Sequence, residues 1–259
     1  MAEVTALIAQ RNAGPMVARQ VPKVRRVLEG LTSSYEMIVI DDASDPSSLR
    51  PLEALLEAEP GLRLLKFAPA CGLSAALTAG LAAAEGTYVV TVPAGDDCTP
   101  ELIESLLEEL VRSDLVVGRP VRRGLAKVYH RIARIPRWLL LGLEVRDPEC
   151  LVWAARREAL VGLQLPCGMY RYLATLVAAR GFRVGEITIP TTGRSVRLSD
   201  GVPNPGDLLA AWWFKRRWRQ YERVVVAGAA GGGSRLRAAG LAVSASPSDA
   251  CGVVKRWSA

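Results

Sequence analysis

The sequence predicts an α/β fold built on a mostly parallel sheet with helices on both faces, and three observations carry that reading. Short, nearly continuous apolar runs recur at residues 4–9, 35–40, 62–67, 87–92 and 115–118. Strands buried on both faces read this way, whereas half-solvated strands alternate. Between the runs lie stretches with apolar residues at helical spacing, the crossovers that parallel neighbours need. Several runs end on polar or turn-forming residues: Gln10 to Asn12, Asp41-Asp42, and Gly95 to Asp97. Ligands of parallel α/β sheets sit at such carboxyl ends.

Taken in order, Val4–Ala9 is the first strand, and residues 10–15 form a loop by composition. From Met16 to Leu31, Val17, Val21, Val24, Val27, Leu28 and Leu31 line one face of an amphipathic helix, with Lys23, Arg25 and Arg26 on the other. Tyr35–Ile40 is a second buried strand. Leu49–Glu59 is a helix stopped by Pro60-Gly61, and Leu62–Phe67 a third strand. The turn at residues 70–74 opens a small-residue helix over 75–84. The fourth strand breaks at Pro93 and Gly95 and is followed by Asp96 and Asp97. Thr99 as N-cap, Pro100 and Glu101 start a helix reaching Arg112. Leu115–Gly118 is a fifth strand.

Beyond Gly118 the chain becomes basic, with Arg119, Arg122, Arg123, Lys127, Arg131, Arg134 and Arg137, and reads as helical over 125–143. Leu151–Ala154 is apolar, residues 156–160 and 170–180 are helical, and Phe182–Ile189 is a strand. Residues 190–206 form a Pro/Gly/Ser-rich loop. Asp207–Arg223 is an amphipathic helix of indoles and cations, a composition suited to an anionic membrane interface or to packing back on the domain. Residues 1–226 form one domain, and 227–259, rich in Gly, Ala, Ser and Arg, read as a disordered tail.

Composition narrows the function. The net charge of +7 and pI near 9.4 favour anionic partners such as nucleotides, phosphorylated substrates or lipid head groups. No nucleic-acid-binding motif is present. No run approaches the roughly 20 apolar residues of a membrane span. Cys71, Cys98, Cys150, Cys167 and Cys251 are scattered without a CxxC pair, which argues against a disulfide framework or structural zinc and for a cytoplasmic setting. His130, the only histidine, lies in the basic stretch and reads as a surface or packing residue.

Several blocks carry a resemblance. Residues 35–44, Tyr-Glu-Met-Ile-Val-Ile-Asp-Asp-Ala-Ser, resemble the "YEIIxVDDxS" block of family 2 glycosyltransferases of GT-A (Rossmann-like) fold. Residues 71–86 resemble their "NxGxSAALxxGLxxAxG" segment, and residues 89–92 with 100–103 frame the "DADxQxPPELI" motif. Residues 145–160, 181–186 and 207–213 are similar to the C-terminal blocks of the polyprenyl-phosphate sugar transferases, the dolichol-phosphate mannose synthase-like members. The likeness runs over about residues 4–222. Three positions depart from it, one being the basic "RxxGxSKYG" loop, which survives only as residues 192–197, Thr-Gly-Arg-Ser-Val-Arg. The "PxYNE" opening appears as residues 9–13, Ala-Gln-Arg-Asn-Ala, without its acid, and the DxD aspartates fall on Pro93 and Gly95.

The resemblance implies inverting transfer of a sugar from a UDP- or GDP-sugar to a polyprenyl phosphate or a small natural-product-like acceptor, with peripheral membrane contact at the inner face. Loss of the DxD acids leaves a non-catalytic nucleotide-binding or scaffold protein as the alternative. Nucleotide contacts are implied at Ala9, Arg11, Asp41, Asp42, Gly72, Ser74, Ala94 and Gly95, with Asp41 toward the base and Asp42 toward the ribose. Asp96 and Asp97 are either ligands for Mg²⁺ or Mn²⁺ or surface acids near the helix start. Arg119, Arg122, Arg194 and Arg197 are candidates for phosphate or acceptor binding. Asp147 is the candidate general base if the acceptor is a hydroxyl, and structural if it is a phosphate.

Overall fold

The computed structural model describes residues 3–59, 61–95, 100–121, 139–142, 150–190, 206–217 and 255–257. The strands are β1 Val4–Gln10, β2 Tyr35–Asp41, β3 Leu62–Lys66, β4 Tyr88–Thr91, β5 Leu115–Pro120, β6 Trp153–Arg156, β7 Val184–Ile189 and β8 Lys255–Trp257. They form one sheet in the order β7-β5-β6-β4-β1-β2-β3-β8. The helices are α1 Gly14–Leu31, α2 Pro46–Ala58, α3 Leu73–Ala83, α4 Leu102–Glu109, α5 Arg157–Leu160, α6 Leu173–Ala179 and α7 over residues 206–217. A 3₁₀ turn, Met169–Tyr172, precedes α6.

The predicted parallel half is present: β3, β2, β1 and β4 run parallel, as do β5 and β7. β6 is the departure. The sequence reads residues 151–154 only as an apolar stretch, but residues 153–156 form a strand wedged antiparallel between β4 and β5. Trp153-Ala154-Ala155-Arg156 carries none of the β-branched residues that flag a strand. β8, antiparallel to β3, falls within the stretch read as a tail.

Side chains alternate between two cores. From β1 and β2, Leu7, Ile38 and Ile40 enter one core with α3, α6 and α7, while Ala6, Ile8, Met37 and Val39 enter the other with α1 and α4. α1 buries Val17, Val21, Val24 and Leu28 of the predicted face, while Val27 is half-buried and Leu31 is exposed at the helix end. α3 lies close to the sheet because its residues are small. A Cβ on Gly80 would stand 2.9 Å from Ile40 Cδ1 and 3.3 Å from Leu7 Cδ1. Cys71 is disulfide-bonded, which the scattered cysteines did not suggest, whereas Cys150 and Cys167 are free.

Candidate functional site

Strand order reverses at β1: the chain steps from β1 outward to β2 and β3, then returns to place β4 on the other side. That switch point opens a crevice at the carboxyl ends of the strands. Register puts Gln10 opposite Asp41, so β1 and β2 end together, while β4 stops at Thr91, opposite Leu7, and its following loop faces the end of β1. A small cavity of about 20 Å³ lies there, lined by Ala9, Leu73, Thr91, Pro93, Ala94 and Leu151 among others. It brings the predicted Ala9 and Ala94 to one place.

The two acids closing β2 are almost wholly buried, each 1% exposed. Asp41 accepts hydrogen bonds from Gln10 Nε2 and Ser44 Oγ, and from the Ser44 amide at 3.2 Å. Burial pushes its carboxyl above the usual range, opposed by the Ser44 bonds and by the charge of Lys66. Gln10 in turn accepts from the Ala13 amide at 2.9 Å, at the start of α1. Asn12, at φ 54°, ties back through its amide to Ser44 Oγ at 2.7 Å, and its side chain receives the Asp45 amide at 2.8 Å. The loops after β1 and β2 are therefore sewn into one unit around Asp41.

Asp42 faces the other way. Its carboxylate accepts from the Cys71 amide at 2.6 Å and the Gly72 amide at 3.1 Å. This holds the turn that opens α3, where Gly72 takes φ 85°, a left-handed conformation that glycine adopts without strain. Ser74, the second residue of α3, is buried, and its Oγ accepts from the Tyr170 amide at 3.5 Å. Of the residues expected to meet a nucleotide, Asp41, Asp42, Gly72 and Ser74 thus form the inner framework. Arg11 is exposed at the rim.

The loop after β4 is held by Gln20, a residue that sequence reasoning passed over. Gln20 lies on α1, is 4% exposed, and donates to Pro93 O at 2.9 Å, while the Gly95 amide reaches its Oε1 at 3.5 Å. The only available signal was a polar residue on the apolar face of an amphipathic helix. Arg119, at the end of β5, is turned sideways: it donates to Thr188 Oγ1 at 2.6 Å, and its Nε lies 3.6 Å from Glu186. Asp96, Asp97, Arg122, Asp147, Arg194 and Arg197 lie outside the described residues.

A family model for glycosyl transferase family 2 matches residues 8–159, more than half of the chain. The chain belongs to glycosyl transferase family 2. Within reach of this family, it is 26% identical over 226 residues to a dodecaprenyl-phosphate galacturonate synthase of Rhizobium johnstonii, covering 80% of this chain and 64% of that one. It is 24% identical over 198 residues to a dolichol-phosphate mannosyltransferase of Pyrococcus furiosus, covering 71% of this chain and 55% of the relative. The chain thus spans between half and two thirds of these relatives' lengths. Among solved structures, the glucosyl-3-phosphoglycerate synthase of Mycobacterium tuberculosis in complex with Mn²⁺, UDP and glucosyl-3-phosphoglycerate superposes with a TM-score of 0.58 at 20% identity. That match covers 87% of this chain and 79% of that one. The likeness establishes the shared α/β fold.

A divalent cation does not fit the described donors of this family member. Pro93 and Gly95 offer no carboxylate, and the Pro93 carbonyl is engaged by Gln20. Asp41 and Asp42 are occupied by N–H and O–H donors. Among the described residues, no group of three His, Cys, Asp or Glu could hold a metal ion.

Proposed function

We propose that the protein transfers a sugar from a nucleotide-sugar donor bound at the carboxyl ends of β1, β2 and β4. The observation that carries this reading is the switch-point crevice framed by Asp41, Asp42 and the Gly72 turn in a family 2 chain. In the reaction, an acceptor oxygen attacks the anomeric carbon as the bond to the diphosphate breaks, inverting the configuration and releasing the nucleoside diphosphate. Because Asp41 and Asp42 are committed to holding loops, their role is to shape the base and ribose pocket rather than to move protons. A hydroxyl acceptor requires a base, and Asp147 is assigned that role. An ionised phosphate acceptor requires none.

The acceptor is a polyprenyl phosphate, as the names of the two relatives suggest, or a small phosphorylated or natural-product-like molecule. Carboxylates for a cation, where one is used, are assigned to Asp96 and Asp97. Pro93 and Gly95 favour a second reading, a nucleotide-binding protein without transferase activity.

Thermal shift with UDP- and GDP-sugars, with and without Mn²⁺, tests the donor site. Stabilisation by one nucleotide class is expected. Mn²⁺-dependent stabilisation that disappears in Asp96→Ala/Asp97→Ala supports the metal assignment. Binding without sugar release or transfer in any acceptor assay selects the non-catalytic reading, and indifference to every nucleotide refutes both.

A further inference from the structure

At the far edge of the sheet, β8 pairs antiparallel with β3, setting Lys255 opposite Lys66 and Trp257 opposite Leu64. It has three residues and is the last strand in the sheet order, so it pairs with no other strand. Residues 218–254 separate it from α7. The entropy lost in closing so long a stretch outweighs what three backbone pairs at an open edge return. A covalent tie beside the ladder removes most of that cost.

Cys71 supplies one end of such a tie, since its sulfur is disulfide-bonded. Cys150 and Cys167 are free, which leaves Cys98 and Cys251 as partners. Both lie outside the described residues, but their described neighbours separate them. In the β3–β8 register each residue back from Lys255 is met by one residue forward from Lys66. Cys251 stands four residues before Lys255 and Cys71 five after Lys66, so position 251 falls opposite position 70, next to Cys71. Paired strands lie about 4.8 Å apart, within the roughly 4.4–6.8 Å between the Cα atoms of a disulfide. The segment carrying Cys98 begins and ends on the opposite face of the sheet. Cys71 packs against the core that holds α3 and α6, whereas Ala94 and Ile103 enter the core of α1 and α4. The Gly95 amide likewise turns to Gln20 on α1.

We propose that Cys71 and Cys251 form a disulfide that straps the C-terminal segment to the rim of the donor site and serves as a redox-sensitive latch on it. Oxidised, the bond keeps β8 on β3 and fixes the turn that opens α3. That turn belongs to the site: the Cys71 and Gly72 amides donate to Asp42 at 2.6 and 3.1 Å, and Gly72 holds φ 85°. A dithiol opens the latch. One of its thiolates attacks a sulfur of the bond, the other cysteine leaves as a thiolate and takes a proton, and the second thiol of the reagent resolves the mixed disulfide. Two electrons and two protons pass to the cysteines, and the reagent departs as its own disulfide. β8 then leaves β3, and the turn keeps only its hydrogen bonds to Asp42. The oxidised chain is the one preorganised for a nucleotide, because its turn loses less freedom on binding. The effect on nucleotide rests on the donor site proposed above, whereas the strap itself does not.

The test uses the full chain, purified without reductant, with its free thiols alkylated in denaturant. Digestion by trypsin and Glu-C without reduction, read by mass spectrometry, identifies the linkage. Residues 67–85 joined to residues 238–255 are the expected species, with Cys98 alkylated in a separate peptide. Hydrogen exchange over Leu62–Lys66 reads the strap. The β3 amides are expected to exchange faster after dithiothreitol, and equally fast without it in Cys251→Ser. Thermal-shift titration with UDP- and GDP-sugars reads the site. Binding about fivefold weaker is expected both in the reduced chain and in Cys251→Ser, which no longer responds to dithiothreitol. Cys98→Ser leaves linkage, exchange and binding as they are.

Linkage of Cys71 to Cys98, or to a cysteine of a second chain, overturns the proposal. So does β3 exchange that reduction leaves unchanged. A measurable nucleotide response that is equal in the oxidised, reduced and Cys251→Ser chains overturns the latch. A chain that shows the expected linkage and redox-dependent exchange, yet responds to no nucleotide in either state, refutes the donor site instead and upholds the strap.

Discussion

The two edges of the sheet treat buried acids in opposite ways. At the amino edge, acids are answered by arginine. Glu36 takes the Arg63 guanidinium at 2.8 Å, Thr5 Oγ1 at 2.6 Å and the Glu85 amide at 2.6 Å. Asp114 lies between Arg156 and Arg183, and its carboxyl is held below the usual range by the Arg183 hydrogen bonds and both charges, outweighing desolvation. At the carboxyl edge, Asp41 and Asp42 are met by amides and a hydroxyl, and no arginine or lysine pairs with them among the described ion pairs. Charge neutralised in place supports the fold. Charge held by neutral donors leaves a negative, preorganised edge, at a cost in stability, which is what a binding site retains.

The contrast can be broken most forcefully at the amino edge. Glu36→Ala strips partners from Arg63, Thr5 and the Glu85 amide at once. A loss of about 3 kcal/mol in urea unfolding is expected, with nucleotide affinity of the folded fraction unchanged. Asp42→Ala at the other edge frees the Cys71 and Gly72 amides. Roughly 2 kcal/mol is expected from the same measurement, but here with weakened nucleotide binding, while Asp42→Asn, which keeps an acceptor, recovers most of both. Equal effects of Glu36→Ala and Asp42→Ala on nucleotide binding would erase the distinction between the edges.

Gln20→Leu is a smaller probe. It leaves Pro93 O and the Gly95 amide without their partner, for about 1 kcal/mol, and a rise in donor KM larger than any fall in kcat is the expected signature. The smallest effect is one of slope. Because the Asp41 carboxyl is raised in the folded protein, the native state binds more protons than the unfolded chain between the ordinary carboxylate value of about 3.9 and its own. Stability therefore falls as pH rises through that window, and Asp41→Asn removes this contribution. Urea midpoints across mildly acidic pH check it, and an unaltered slope in the variant would show that Asp41 is not its source.

Much of this was legible in the residues, for identifiable reasons. β1 to β4 are buried on both faces, so their apolar runs announce themselves, and the polar ends of β1 and β2 mark the edge where the site lies. β6 was not legible, because alanines at positions 154 and 155 pack between neighbours without strand-forming side chains of their own. Asp41 and Asp42 could be placed at the site, but not their partners. Whether a carboxylate faces a ligand or a neighbouring loop depends on contacts such as that between Asp42 and Cys71, 29 residues apart. Gln20 is the extreme case, since its meaning lies 73 residues away at Pro93.

The wedged position of β6 also governs the order in which the chain can complete itself. β5 pairs only with β6 and β7, so when it emerges during synthesis its apolar Leu115, Val116 and Val117 have no strand partner. The free edge of β4 waits equally long. These non-local pairings are slow to form, and the exposed strands invite pairing with other chains in the interval. A nascent or truncated chain ending soon after residue 120 would thus present two open apolar edges. β6, which runs against both of its neighbours, is also the closure that makes the sheet safe in a crowded cell.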